Sequence, residues 1–199
     1  LDLGGVVLSD GNYVDVTQIG TLANEAATIA REHHHVPPWV FASQEGGDLN
    51  SFPDLPPTAA PAELSSAREA ETQARESAKS LLALGINAVL GPVVDVGSSE
   101  AGSALGSRVY SDSPEEVATY ADKVVRAYRA EHVFSAPAHL PGLGATDQST
   151  QDGPATVGLG LDELRQRDLL PFGAAISAGA PGVLISSALY PFSDFTVPA

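Results

Sequence analysis

The run "INAVLGPVVDV", residues 86–96, is apolar along almost its whole length and carries a single acidic residue, Asp95, next to its end. A strand with one wet face alternates apolar and polar residues; one that is apolar throughout is covered on both faces, as in a parallel sheet. The segments on either side repeat the theme. "LGGVVLS" (3–9), "WVFAS" (39–43), "HVFSAPA" (132–138) and "GVLISSAL" (182–189) are further short apolar runs bounded by glycine, proline or small polar residues.

Helical patterns separate these strands. Residues 15–33 carry Val16, Ile19, Leu22, Ala23, Ala26 and Ala30 at helical spacing, and a second helix runs from about Ser66 to Leu84, with Gly85 placed to stop it. Ser113-Pro114-Glu115-Glu116 combines an N-cap serine, proline at the first helical position and a glutamate suited to a capping box, opening a helix to about Glu131. A fourth helix is expected from Asp162 to Ala178, ended by Gly179. Five strands alternating with four helices give an α/β fold with a parallel sheet, either doubly wound or a (β/α) barrel. A full eight-fold barrel needs about 250 residues, so over 199 residues a barrel would be incomplete.

Composition narrows the function. The chain is 43% hydrophobic with a formal net charge of −15, ten basic residues against twenty-five acidic ones. That balance argues against nucleic acid or an anionic membrane as partner, whereas a neutral sugar is not repelled. No apolar run approaches the ~20 residues that cross a bilayer, and no basic-then-apolar leader is seen. Cysteine is absent, which removes disulfide and thiolate chemistry. Methionine is absent too, even at position 1, so the chain reads as processed or cut from something longer.

In parallel α/β folds functional groups collect on loops at the carboxyl ends of strands. The polar residues there are Asp10 and Asn12, Gln44 and Glu45, Asp95, His139 and Tyr190. His33-His34-His35 suggests metal, but adjacent residues at a helix end diverge, and a solvated terminus accounts for them. Gly142-Leu143-Gly144 hints at a dinucleotide loop, but Asp147 stands where a third glycine is expected.

Five segments, in order and at matching spacing, resemble glycoside hydrolase family 3, especially its bacterial β-N-acetylglucosaminidase branch. "ASQEGGDLNSF" is similar to that family's "DQEGGRVQRF", "GINAVLGPVVDV" to "GVNFAPVLDV", and "LGSRVYSDSPEEVA" to "IGDRSFGSDPEVVA". "PAHLPGLG" resembles "GKHFPGHG", and "DLLPFGAAISAGAPGVLISSALYP" resembles "DLLPFRAAIAAGVPAVMTAHVVYP". The resemblance implies a partial TIM-type (β/α)8 barrel forming one domain over residues 1–199. It implies hydrolysis of O-glycosyl bonds, of β-N-acetylhexosaminide or β-glucoside type, with Arg108, His139, Asp95 and Glu45 as sugar-contacting residues. No metal or organic cofactor is implied, and an extracellular or envelope setting is the family expectation.

Departures from the family pattern are equally specific. The carboxylate heading "DQEGG" is Ser43, the arginine closing "GGRVQR" falls at Ser51, the lysine of "KHFPGHG" is Ala138 and its second histidine is Leu143. The Asp-Ser-His triplet that carries the branch's general acid/base falls on Ser149-Thr150-Gln151, and a glutamine amide does not titrate near neutrality. Asp147 and Asp152 are the remaining catalytic candidates in that loop, and each also fits a turn residue. The family nucleophile lies in a later "SDD"-like motif that this chain does not reach, and Asp194 in "PFSDF" reads as a turn. The expectations are therefore an inactive fragment of a glycosidase or, alternatively, a non-catalytic carbohydrate-binding or scaffolding barrel, with open sheet edges that invite self-association. Asp95, ending an apolar strand, is expected to pair with Arg108.

Overall fold

The structure is a computed structural model and describes residues 3–100, 103–146, 148–191 and 194–198. The first sheet strands are β1 (Gly5–Leu8), β2 (Trp39–Ala42), β3 (Ala88–Val89) and β4 (Phe134–Ser135), all parallel and in the order β1-β2-β3-β4. Beyond β3 the chain continues to Val93, which bridges in parallel to Ala138 at the start of β5 (Ala138–Leu140). β5 in turn pairs in parallel with β6 (Leu184–Ile185). Each strand region thus lies beside its predecessor in sequence, with no reversal among the described residues. A doubly wound sheet would reverse; successive staves of a barrel do not. The fold is a partial TIM-type α/β barrel.

Strand periodicity sorts side chains between the barrel's two faces. Val40 and Ala42 are buried against the helices, while the alternating Trp39 and Phe41 point inward. Ala88 stands in register between Phe41 and Phe134, and its small side chain lets the two phenyl rings meet edge-on at 5.5 Å. Trp39 packs on Phe134 as well, at 5.2 Å, so it belongs to the floor of the barrel rather than to its rim.

Three long helices cover the outside: α1 (Val16–Glu32), α2 (Ala67–Ala83) and α3 (Pro114–Ala130). α2 buries Ala70, Ala74, Ala78 and Leu81 and α3 buries Val117, Ala121, Val124 and Tyr128, both at three- and four-residue spacing. Each larger apolar side chain so buried contributes about 1.5–3 kcal/mol. Asp15, Ser66 and Ser113 cap the three helices by accepting from the backbone amides of Gln18, Glu69 and Glu116. Gly85, at φ 84°, follows α2 as expected. The capping box expected at Ser113 is only half formed, because Glu116 accepts from the Ser111 hydroxyl at 2.7 Å instead of reaching back to the Ser113 amide.

The expected helix 162–178 is broken into α4 (Leu161–Gln166) and α5 (Leu169–Ala178). Arg167 leaves helical geometry, with φ −116° and ψ −73°, and α5 then ends at Gly179 with φ 95°. The expected strand 182–189 is also shorter. It holds β6, and its last residue opens β7 (Leu189–Tyr190), which pairs antiparallel with β8 (Asp194–Pro198). The region read as a turn around Asp194 is therefore the start of a strand. His33, His34 and His35 sit exposed around the end of α1, His34 with φ 59°.

Candidate functional site

Glu45 and Asp95 follow their strand regions, and His139, expected just past a strand 132–138, lies instead within β5, where Asp95 meets it. The loop after β2 is built to hold Glu45 still. Gln44, buried beside it, donates to the carbonyls of Phe52 and Leu55, both at 3.0 Å, and accepts from the Phe52 amide at 3.2 Å. Gly46, at φ 103°, lies so close to Ala59 that a Cβ would stand 2.1 Å from its carbonyl oxygen. Asn50 closes the turn by accepting from the Gly46 amide at 2.6 Å.

Arg108 meets Glu45 from a short 3-10 turn (Gly106–Arg108) with a two-pronged contact. Nε donates to Oε2 at 2.7 Å and Nη2 to Oε1 at 2.9 Å. The two side chains are only 11% and 7% exposed. Burial by itself pulls the guanidinium down, but the hydrogen bonds and charge of Glu45, with Asp95 behind them, outweigh it and hold Arg108 above its ordinary value.

Asp95, fully buried, is occupied differently from expectation: it does not pair with Arg108. Its Oδ1 accepts from the backbone amides of Leu143 at 2.7 Å and His139 at 3.3 Å, and Oδ2 lies 2.7 Å from Nδ1 of His139. The bidentate claim of Glu45 on Arg108 leaves Asp95 to brace the following loop. Because a carboxylate only accepts, the imidazole carries its proton on Nδ1. Its other nitrogen, Nε2, makes no hydrogen bond among the described residues, and the side chain is 16% exposed. The four residues expected to contact sugar therefore form two pairs, Glu45–Arg108 and Asp95–His139.

The loop after β5 is pressed onto the end of the neighbouring strand region. A Cβ at Gly144 would lie 1.9 Å from the carbonyl oxygen of Val96, so only glycine allows this backbone approach. Leu143, Val157, Leu164 and Tyr190 form a buried cluster beneath it, and bridges Thr146–Val157 and Thr156–Leu189 close the loop. At its tip Gln151 and Asp152 are exposed, their amides donating to the Ser149 hydroxyl at 3.2 Å and the Ser149 carbonyl at 3.0 Å. Asp152 is thus an exposed turn residue; Asp147 lies outside the described residues. Ser51 is buried, and Ala138 is buried beside His139.

Sequence reading missed Arg167 and Asp168. Arg167 donates to the Val96 carbonyl and contacts Oδ2 of Asp168 at 3.3 Å. Asp168 is 1% exposed; burial, reinforced by Asp95 and opposed by Arg167, pushes its carboxyl up to about 6. Tyr190 donates to the Gly142 carbonyl at 2.9 Å, and burial pushes its phenol up to about 12. A signal was present: Pro171 has no N–H and fits only the first turn of a helix, so "DLLP" marks a new start at Asp168.

A barrel-type α/β domain with two buried acid–base pairs on its carboxyl rim is the class these features define. The chain belongs to glycosyl hydrolase family 3: the model of that family's N terminal domain matches residues 1–199. A β-hexosaminidase of Stenotrophomonas maltophilia is 31% identical over 199 residues, which are 95% of this chain and 58% of the relative. The chain thus spans a little over half the length of that curated relative. The family 3 β-N-acetylglucosaminidase of Paenibacillus sp. str. FPU-7 superposes with a TM-score of 0.87 at 27% identity, covering 98% of this chain and 38% of that one. NagZ from Neisseria gonorrhoeae, in complex with N-trifluoroacetyl-D-glucosamine, gives 0.84 at 25% identity, covering 99% and 60%. The likeness falls in the β-hexosaminidase branch anticipated from the five segments.

Proposed function

We propose that residues 1–199 form one incomplete barrel domain of a glycosidase that hydrolyses O-glycosyl bonds in β-N-acetylhexosaminides or related β-glucosides, with Glu45, Arg108, Asp95 and His139 on its sugar-binding face. The observation that carries this reading is the Asp95–His139 pair in a family 3 domain. A buried carboxylate fixes the imidazole with Nδ1 at 2.7 Å and leaves Nε2 without a hydrogen bond among the described residues, ready to accept from a sugar hydroxyl. Glu45 and Arg108 neutralise each other, so the rim offers hydrogen bonds without a net charge from that pair, which suits a neutral sugar.

A second reading, a non-catalytic carbohydrate-binding barrel, is favoured by Gln151. That residue is an exposed amide where the branch keeps its proton donor, and Ala138 puts a buried methyl where the family has a lysine. Incubating the longest natural polypeptide that contains this chain with 4-nitrophenyl N-acetyl-β-glucosaminide and 4-nitrophenyl β-glucoside separates the two. Nitrophenol release supports the glycosidase, calorimetric binding without release supports the binding barrel, and neither outcome defeats both. Self-association belongs to the same proposal. β1 and β6 each pair on one side only among the described residues, with Val7 and Ile185 exposed, and a sedimentation profile independent of concentration would remove it.

A further inference from the structure

We propose that Asp168 is a positioning residue: delivered by the break between α4 and α5, its side chain sets Gly142 and, through that turn, the orientation of His139. The inference rests on reading this rim as the ligand-binding face. Gly142, at φ 134°, lies against Asp168 so closely that a Cβ on Gly142 would stand 2.4 Å from the Asp168 Cβ. From Gly142 the contacts run straight to the imidazole. The Gly142 amide donates to the His139 carbonyl at 2.8 Å, its carbonyl accepts from Tyr190, and the next amide, that of Leu143, donates to Asp95 at 2.7 Å. The same Asp95 carboxylate holds Nδ1 of His139. A displaced Gly142 therefore disturbs both the turn and the carboxylate that fixes the ring.

Two features set Asp168 apart from ordinary packing. Its Oδ1 is buried with no hydrogen-bond partner among the described residues, a cost that an apolar residue filling the same space would avoid. The neighbouring Arg167 holds the other oxygen and also the carbonyl of Val96, so one interruption of the helix clamps the strand end and the loop against each other. An uninterrupted helix over 161–178 would turn these two side chains along its own surface instead.

Imidazole nitrogen NMR and amide exchange on the full chain test this without any sugar, with His139→Gln assigning the His139 signals. In Asp168→Ala the Nδ1–H signature of His139 should weaken toward a tautomer mixture. Leu143 amide exchange should rise at least tenfold beyond any change at the core amides of α2, which report global stability. Asp168→Asn, equal in size, should restore both. If Asp168→Ala does not fold, Asp168→Ser replaces it with the same two readouts. An unchanged His139 signature, with Leu143 and the core amides accelerated by the same factor, would reduce Asp168 to a packing residue and overturn the proposal. A separate titration of the wild type with N-acetylglucosamine tests the carbohydrate reading: no binding defeats that reading and leaves the NMR outcome for Asp168 unaffected.

Discussion

Replacing Glu45 by Gln keeps the shape of the side chain and removes the charge that faces Arg108. The guanidinium then remains at 11% exposure with its two hydrogen bonds, at 2.7 and 2.9 Å, weakened or lost. Breaking a buried pair from one side costs about 3–5 kcal/mol, because the surviving charge is left desolvated. For a chain of this size about 2–4 °C of melting temperature follows each kcal/mol, so a fall of roughly 6–20 °C is expected. Arg108→Met should also destabilise, leaving Glu45 alone. The double variant should recover much of the loss, giving a coupling energy of about 2–3 kcal/mol in a denaturant-unfolding cycle. Arg126–Asp122 is the internal control. It is equally short at 2.8 Å but 54% and 34% exposed, so the same cycle there should return less than about 1 kcal/mol. Single-variant losses at Glu45 and Arg108 that simply add, within about 0.5 kcal/mol, would refute the claim that burial makes this pair interdependent.

Three other outcomes are expected. Gly144→Ala should cost about 3 kcal/mol or more by urea unfolding, since its Cβ meets the Val96 carbonyl at 1.9 Å, whereas Gly173→Ala, with nothing within 4 Å in α5, should stabilise by about 0.5–1 kcal/mol. Tyr190→Phe should lose about 1–3 kcal/mol by the same measurement, because the Gly142 carbonyl loses its buried donor. Asp168 is pushed up from 3.8 to about 6, so the folded state binds its proton more tightly than the unfolded chain does. Its stability contribution is greatest below about 4 and is lost as pH rises through about 6. Burial sets this shift, with Arg167 opposing it and Asp95 reinforcing it, and a midpoint difference between wild type and Asp168→Asn that is flat across that window would contradict it.

The amino-acid sequence alone was enough for the strand–helix alternation, the start of a helix near Ser66, the helix cap at Ser113, the stops at Gly85 and Gly179, and the placing of Glu45 and Asp95 beyond strand ends. Those features depend on apolar periodicity, on side chains that satisfy a helix's own first amides, and on glycine's access to positive φ, all of which act within a few residues. Tertiary structure decided who pairs with whom. Arg108 is drawn to Glu45 across 63 residues and not to Asp95, because a guanidinium fork matches one carboxylate bidentately, and Asp95 is already taken by three donors of the loop beyond it. The break at Arg167 has a local cause in Pro171, but where Arg167 and Asp168 then point was settled at a distance, by the Val96 carbonyl and by Gly142. Local preference is worth tenths of a kcal/mol per residue, and a buried charge or carbonyl seeking its partner is worth several times more, so the long-range contacts win where the two disagree.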